Sequence, residues 1–292
     1  MTVPPEQPQY QQQGLPACVR HSDRPTGLRC VRCDRPACPE CLREASVGYQ
    51  CVDCVNEGRR TVRQATTVAG AVQRDQLVVV PVMVVLNLLL FAFTAFQAGD
   101  LVNNSRSELF DEWVLWPVGV VAFNEPWRLI TGGFLHYGPF HVAANMLALW
   151  FLGREVERAL GRARFLAVYL LSLLGGSAAV FLFGPVGAGT AGASGAVWGV
   201  MGSVLVVFLR LKLNLQPIIG MLVINVFISF LPGISLLGHL GGLVAGVAAT
   251  AALVYAPRER RTQIQVGALT AIGVLLVLAI ALRWADLSST LS

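Results

Sequence analysis

The sequence predicts an all-α polytopic membrane protein, with six spans in one core and a seventh at the C-terminal end, preceded by a small domain that needs a staple other than a hydrophobic core. Three observations predict it. Hydrophobic residues make up 54% of the chain and charged residues only 13%, about half the charge a soluble domain carries. Seven apolar runs follow residue 76, and all seven cysteines fall between Cys18 and Cys54.

The chain opens on a Pro/Gln-rich stretch, Met1 to Gly14, with no apolar run. It is expected to be a disordered tail over 1–17 rather than a secretory signal. The cysteine block 18–56 is therefore expected in the cytoplasm, where reducing conditions favour metal binding over disulfides. Residues 57–76 form a basic linker.

A span needs roughly 20 apolar residues. Leu77–Ala98, Phe165–Phe183 and Val266–Leu282 meet this, as does Leu236–Ala256 apart from His239. Phe140–Gly153, Ser194–Leu209 and Pro217–Leu231 are shorter, as spans bordering a wet cavity are allowed to be. Residues 77–256 thus hold six spans, and 257–292 a basic loop, the seventh span and a short tail.

The loops support that count. Arg59, Arg60, Arg63 and Arg74 precede the first span; Arg154, Arg158, Arg162 and Arg164 follow the second; Arg210 and Lys212 follow the fourth; Arg258, Arg260 and Arg261 follow the sixth. The alternate loops are poor in Arg and Lys, the long 99–139 loop holding only Arg106 and Arg128. Positive charge marks the inner side, so the N-terminus is expected inside the cell membrane and the C-terminus outside. The formal net charge of +5 is explained by this placement and requires no nucleic-acid partner; no aromatic stacking pattern accompanies the basic residues.

Polar residues in a bilayer invite a functional reading. His141, Ser194 and His239 each begin a span that enters from outside, so all three are expected at one depth near the outer face. Ser194 lies in Gly192-Ala193-Ser194-Gly195, where small neighbours admit a substrate backbone and a helix N-terminus favours an oxyanion. Gly195 and Gly199 on one helix, and Gly242 and Gly246 on another, make two small-residue stripes that allow close backbone approach. His239 shares the second stripe, which would bring an imidazole to the serine hydroxyl, the arrangement of an activated nucleophile. His141 and Asn145, four apart on one face, offer two neutral donors for an oxyanion. The blander readings are packing and interhelical hydrogen bonding. Ser235, four residues before His239, is the rival nucleophile, but it lacks the flanking glycines and nearby donors of Ser194.

Together these residues resemble the rhomboid family of intramembrane serine proteases, over about Leu77 to Ala256. Trp127-Arg128 resembles the family's Trp-Arg loop motif, and His136-Tyr137-Gly138-Pro139-Phe140-His141 with Asn145 resembles its double-histidine and asparagine stretch. Gly192 to Gly195 is similar to the nucleophile motif, and His239 with Gly242 and Gly246 to the general-base helix. The resemblance implies a six-helix rhomboid core in which Ser194 and His239 are a catalytic dyad. It further implies that His141, Asn145 and the Ser194 backbone N–H are oxyanion donors and that His136 is structural. It implies single-pass membrane-protein substrates cut near the outer face. One position departs: rhomboids commonly carry Tyr or Phe four residues after the nucleophile, and here Trp198 stands there. An inactive, helix-binding relative is the alternative. A transporter would be expected to show intramembrane carboxylates or a repeated half, and neither is present.

In the N-terminal block, Cys18-x-x-His21, Cys30-x-x-Cys33, Cys38-x-x-Cys41 and Cys51-x-x-Cys54 supply eight ligands, enough for two tetrahedral zinc ions with no open position. So small a block needs metal to fold. The pattern resembles a B-box-type zinc finger. That resemblance implies interleaved ligation, Cys18, His21, Cys38 and Cys41 at one ion and Cys30, Cys33, Cys51 and Cys54 at the other; spacing alone leaves sequential pairing open. The expected partners are a cytoplasmic protein or the lipid surface.

Overall fold

The chain divides into two units, Met1–Gln64 and Ala65–Ser292. The computed structural model describes residues 14–61, 65–74 and 76–291; most of the tail read at 1–17, and parts of the linker including Arg63, lie outside the described residues.

The N-terminal unit is not helical throughout. Strands β1 (Ala17–Cys18) and β2 (His21–Pro25) pair antiparallel, as do β3 (Leu42–Glu44) and β4 (Tyr49–Cys51), and helix α1 (Val52–Thr61) follows. The all-α reading concerns the membrane unit; in this small domain Cys18 and His21 lie on the β1–β2 ribbon, whereas Cys54 lies in α1. The buried core consists of six cysteines with Ala37 and Leu42. Leu28, Val47 and Tyr49 are exposed.

In the second unit, α2 (Val79–Ala98) is followed by a long connecting region with three short helices, α3 (Glu108–Trp113), α4 (Pro117–Ala122) and α5 (Arg128–Thr131). Next come α6 (Gly138–Ala148), a π-helical turn over Leu149–Gly153 and α7 (Arg154–Leu160). The remaining helices are α8 (Arg162–Phe183), α9 (Ser194–Leu211), α10 (Gln216–Ile228), α11 (Leu236–Val254) and α12 (Arg261–Leu291). Among the described residues, α2, α8, α9, α11 and α12 are long and apolar enough to cross a membrane, α10 is a shorter apolar helix, and the second run is broken by its π-turn. Each of the seven expected runs therefore forms helix.

The N-terminus of α2 is closed from a distance. No side chain of its own caps it; instead the buried Glu157 carboxylate accepts from the N–H groups of Val78 (2.8 Å), Val79 (3.0 Å) and Val80 (2.9 Å). One acid thus satisfies three donors that have no intrahelical partner and also meets the positive helix end. Glu157→Ala is expected to destabilise the membrane unit by about 3 kcal/mol, the scale of losing charge-assisted bonds and leaving buried donors unpaired. Thermal unfolding in detergent measures this, and Glu157→Gln should recover only part of the loss.

Helices α8, α9 and α11 form the centre of the bundle. The two glycine stripes meet there: a Cβ on Gly242 would collide with the Gly195 carbonyl oxygen, and one on Gly246 with the Gly199 backbone. The α9 and α11 backbones touch, as the four-residue spacing predicted. The segment read as linker divides, residues 57–61 extending α1, while 65–74 makes a small turn with Ala69 buried in the membrane unit's core.

Candidate active site and metal centres

Ser194 is the first residue of α9, and Trp198 lies one turn later on the same face. The Trp198 ring stacks on His239 with centroids 4.8 Å apart and planes 17° from parallel. This stack, with the Gly195–Gly242 contact behind it, brings the His239 imidazole to the side of α9 that carries Ser194. Among the described residues, Ser194 Oγ has no hydrogen-bond partner, so the Ser194–His239 bond expected from spacing is not formed; in ligand-free sites such bonds are often long and close only around substrate.

The far side of the imidazole is fixed by a residue that sequence reasoning missed. Ser229, just beyond α10, lies 2.6 Å from His239 Nδ1, and its hydroxyl donates to the Asn225 carbonyl at 2.8 Å. A serine has one hydroxyl hydrogen. With that hydrogen on Asn225, Ser229 Oγ accepts from His239 Nδ1–H, and Nε2 is left unprotonated. Both Ser229 and His239 are buried. The only signal in the sequence was a pair of polar residues, Asn225 and Ser229, four apart near the end of an apolar run.

His141 sits in the first turn of α6. Its Nδ1 accepts from the Tyr137 N–H at 3.3 Å, which leaves its Nε2 as the protonated donor nitrogen in the neutral ring. Gly192 packs against that edge: a Cβ there would lie 2.9 Å from His141 Nε2 and 3.7 Å from Ser194 Oγ. The donor nitrogen and the serine oxygen thus flank one point, and Gly192, at φ 135°, keeps it open. Asn145 is buried and gives one amide hydrogen to the His141 carbonyl at 3.0 Å, leaving its second donor unspent.

Several residues hold the connection between α2 and α6 beside this site. His136 Nε2 accepts from the Ala193 N–H at 3.4 Å, and the His136 ring meets His141 edge-on at 5.1 Å. The buried Asn104, which no sequence motif marks, donates to Thr94 Oγ1 and to the His136 carbonyl and accepts from the Gly138 N–H. Arg128 of the Trp-Arg pair is buried on Glu125 at 2.6 Å and donates to the Val114 carbonyl at 3.1 Å. Trp127 is about half exposed. Ser235 serves the fold instead, since as N-cap of α11 it accepts from the Gly238 N–H at 3.1 Å. Ser235→Ala is expected to cost about 1 kcal/mol of stability, read by thermal unfolding.

The metal candidates lie in the N-terminal unit and interleave. Cys18, His21, Cys38 and Cys41 converge in one group and Cys30, Cys33, Cys51 and Cys54 in the other, with ligand atoms in each group within 4.8 Å of one another. His21 Nδ1 lies 3.8 Å from Cys18 Sγ and 3.4 Å from the sulfurs of Cys38 and Cys41; Cys33 and Cys51 sulfurs are 3.7 Å apart. A tetrahedral zinc ion with its usual bond lengths separates its ligand atoms by roughly 3.6–3.8 Å, so the residues fit. The thiols also feel one another. The Arg35 Nε–H bonded to Cys33 Sγ at 3.3 Å holds the Cys33 thiol below its ordinary range, while the hydrogen bond from Cys33 and burial push Cys54 up to about 12. Four sulfurs this close cannot all ionise without a cation between them.

Comparison with known proteins agrees with the membrane unit. A family model described as the Rhomboid domain matches residues 124–256. The chain is 36% identical over 196 residues to "Rhomboid protease GluP" of Bacillus subtilis (strain 168), covering 65% of this chain and 38% of the relative. It is 35% identical over 163 residues to "RHOMBOID-like protein 1" of Arabidopsis thaliana, covering 53% and 42%. With "Putative rhomboid protease YdcA" of Bacillus subtilis (strain 168) it shares 36% over 145 residues, 46% of this chain and 73% of the relative. The chain thus spans 38% and 42% of the length of the first two relatives.

Proposed function

Because the chain belongs to the rhomboid family, we propose that it is an intramembrane serine endopeptidase in which Ser194 is the nucleophile and His239 the general base. The observation that carries this reading is the clamp on His239, with Trp198 against its face and Ser229 on Nδ1. Such a clamp leaves Nε2 free to accept a proton on the serine side.

Ser194 Oγ adds to the peptide carbonyl carbon as its proton passes to His239 Nε2. The carbonyl electron pair moves onto oxygen, where His141 Nε2–H, the free Asn145 amide hydrogen and the Ser194 backbone N–H receive it. Collapse breaks the C–N bond, and His239 returns the proton to the leaving amine. Water, deprotonated by the same Nε2, then releases the acyl group. No carboxylate takes part. The orienting group is the neutral Ser229 hydroxyl, so the site is a dyad with a hydroxyl support.

The arginine pattern of the loops favours an N-terminus inside and a C-terminus outside, which sets this chemistry near the outer face. Substrates are single-pass membrane segments that unwind near the cut. The N-terminal unit carries two structural zinc ions in a B-box-type module that contacts a cytoplasmic protein.

A fluorophosphonate probe tests the core of the proposal. Labelling of the wild type and not of Ser194→Ala is expected; no labelling of a folded wild type would instead favour a helix-binding relative. Ser229 has its own test. Ser229→Ala should lower kcat about tenfold with little change in KM, the scale of one hydrogen bond, and Ser229→Thr should restore it.

A further inference from the structure

At the opposite end of the bundle from Ser194, a cavity of about 490 Å³ lies where the 65–74 turn meets the junction of α7 and α8. Arg74, Arg158, Arg162 and Arg164 line it, with Gly70 and Glu157. Arg261, which opens α12, packs its side chain against Gly70.

Among the described residues, the charge lining this cavity is not balanced. Glu157 is the carboxylate on its wall, and both its oxygens are occupied by the α2 N-terminus. Arg158 pairs with Glu155. Arg162 gives one N–H to the Gln76 carbonyl, while its Nε is buried with no partner among the described residues. Arg164 bonds to the neutral Gln265, and Arg261 Nε is likewise buried and unpartnered. Arg74 is exposed and makes no ion pair among the described residues, which do not include Asp75. The first turn of α8, Arg162 to Arg164, adds backbone N–H groups that no helix residue accepts.

A buried guanidinium nitrogen without a partner, Arg162 Nε, is costly, and with Arg74 and Arg164 on the same cavity at a helix N-terminus it selects an anion with many acceptor oxygens. A phosphate group has that chemistry and the planar pairing that arginine prefers. The cavity opens where α2 and α8 begin, at one end of two helices long and apolar enough to cross a membrane.

We propose that this cavity binds the phosphate of an anionic phospholipid headgroup, held by Arg74, Arg162 and Arg164 and supplied by the facing leaflet. Basic pockets between membrane helices on the inner side are suited to such headgroups. The site is independent of the proteolytic one and would couple the 65–74 turn, α8 and α12 through a lipid.

Thermal unfolding of the full chain in detergent tests this, titrated with phosphatidylglycerol, phosphatidylcholine or inorganic phosphate. A saturable rise in melting temperature with phosphatidylglycerol alone is expected. Arg74→Gln should leave lipid-free melting unchanged and raise the half-saturating lipid concentration about fivefold. Arg162→Gln should raise it at least as much, and Arg106→Gln on the far loop should not. Equal response to phosphatidylcholine, or an equal shift from Arg106→Gln, would overturn the site. Equal response to inorganic phosphate would overturn the lipid as its source.

Discussion

Ser194→Ala is expected to reduce cleavage of a membrane-segment substrate by roughly 10⁶-fold, the scale at which losing a serine nucleophile disables a hydrolase. The expectation follows from the division of labour in the site. The donors at His141 and Asn145 and the clamp on His239 remain when the hydroxyl is removed, yet none supplies a bond to the carbonyl carbon. The change is sterically mild, since among the described residues Ser194 Oγ has no hydrogen-bond partner to strand. The variant should therefore fold, bind substrate and fail only at chemistry. Substrate released from cells or reconstituted vesicles gives the readout, and unchanged melting shows that the fold survives. Ser235→Ala is the matched control: it loses a helix cap and should keep cleavage within a few-fold. The reverse pattern would transfer the nucleophile to Ser235. In cells, ectodomains released by the wild type and not by Ser194→Ala would also identify substrates.

The contrast between these two serines shows what the sequence could convey. Spans were legible because bilayer thickness fixes their length, and the glycine stripes because helical periodicity puts residues four apart on one face. Both are local patterns. The interleaved ligand sets became legible through resemblance, and the structure groups the sulfurs accordingly. What stayed hidden was long-range pairing between single polar groups. Glu157 caps a helix that begins about eighty residues earlier, and Asn104 joins α2 to the turn before α6. Ser229 reaches His239 across a loop. None of these has a spacing that repeats, so no window along the chain detects it. The π-turn at Leu149–Gly153 is invisible for a related reason, since an apolar run reads the same with one extra residue per turn. The small ribbons of the N-terminal unit were missed because their strands are only two to five residues long.

Metal removal should unfold the N-terminal unit while leaving the membrane unit folded. The reason lies in the composition of its core. Among the described residues, the only buried apolar side chains there apart from cysteines are Ala37 and Leu42, and a fully buried leucine contributes about 2 kcal/mol. Ordering each residue of the backbone costs about 1–2 kcal/mol, which so small an apolar core cannot offset. A structural zinc site contributes roughly 10–16 kcal/mol near neutral pH, so two such ions would dominate the stability of this unit. A strong chelator should make it sensitive to protease, with cuts between residues 14 and 61, whereas the resistant fragment from about residue 65 keeps its melting temperature. Replacing zinc by cobalt should give tetrahedral thiolate spectra at two ions per chain. Cys38→Ser should abolish one of them and Cys51→Ser the other, because the two residues belong to different ligand groups. If either variant lost both ions equally, the groups would form one cooperative cluster. Cleavage in detergent should persist after chelation. A parallel loss of cleavage would mean that the zinc unit supports the membrane core.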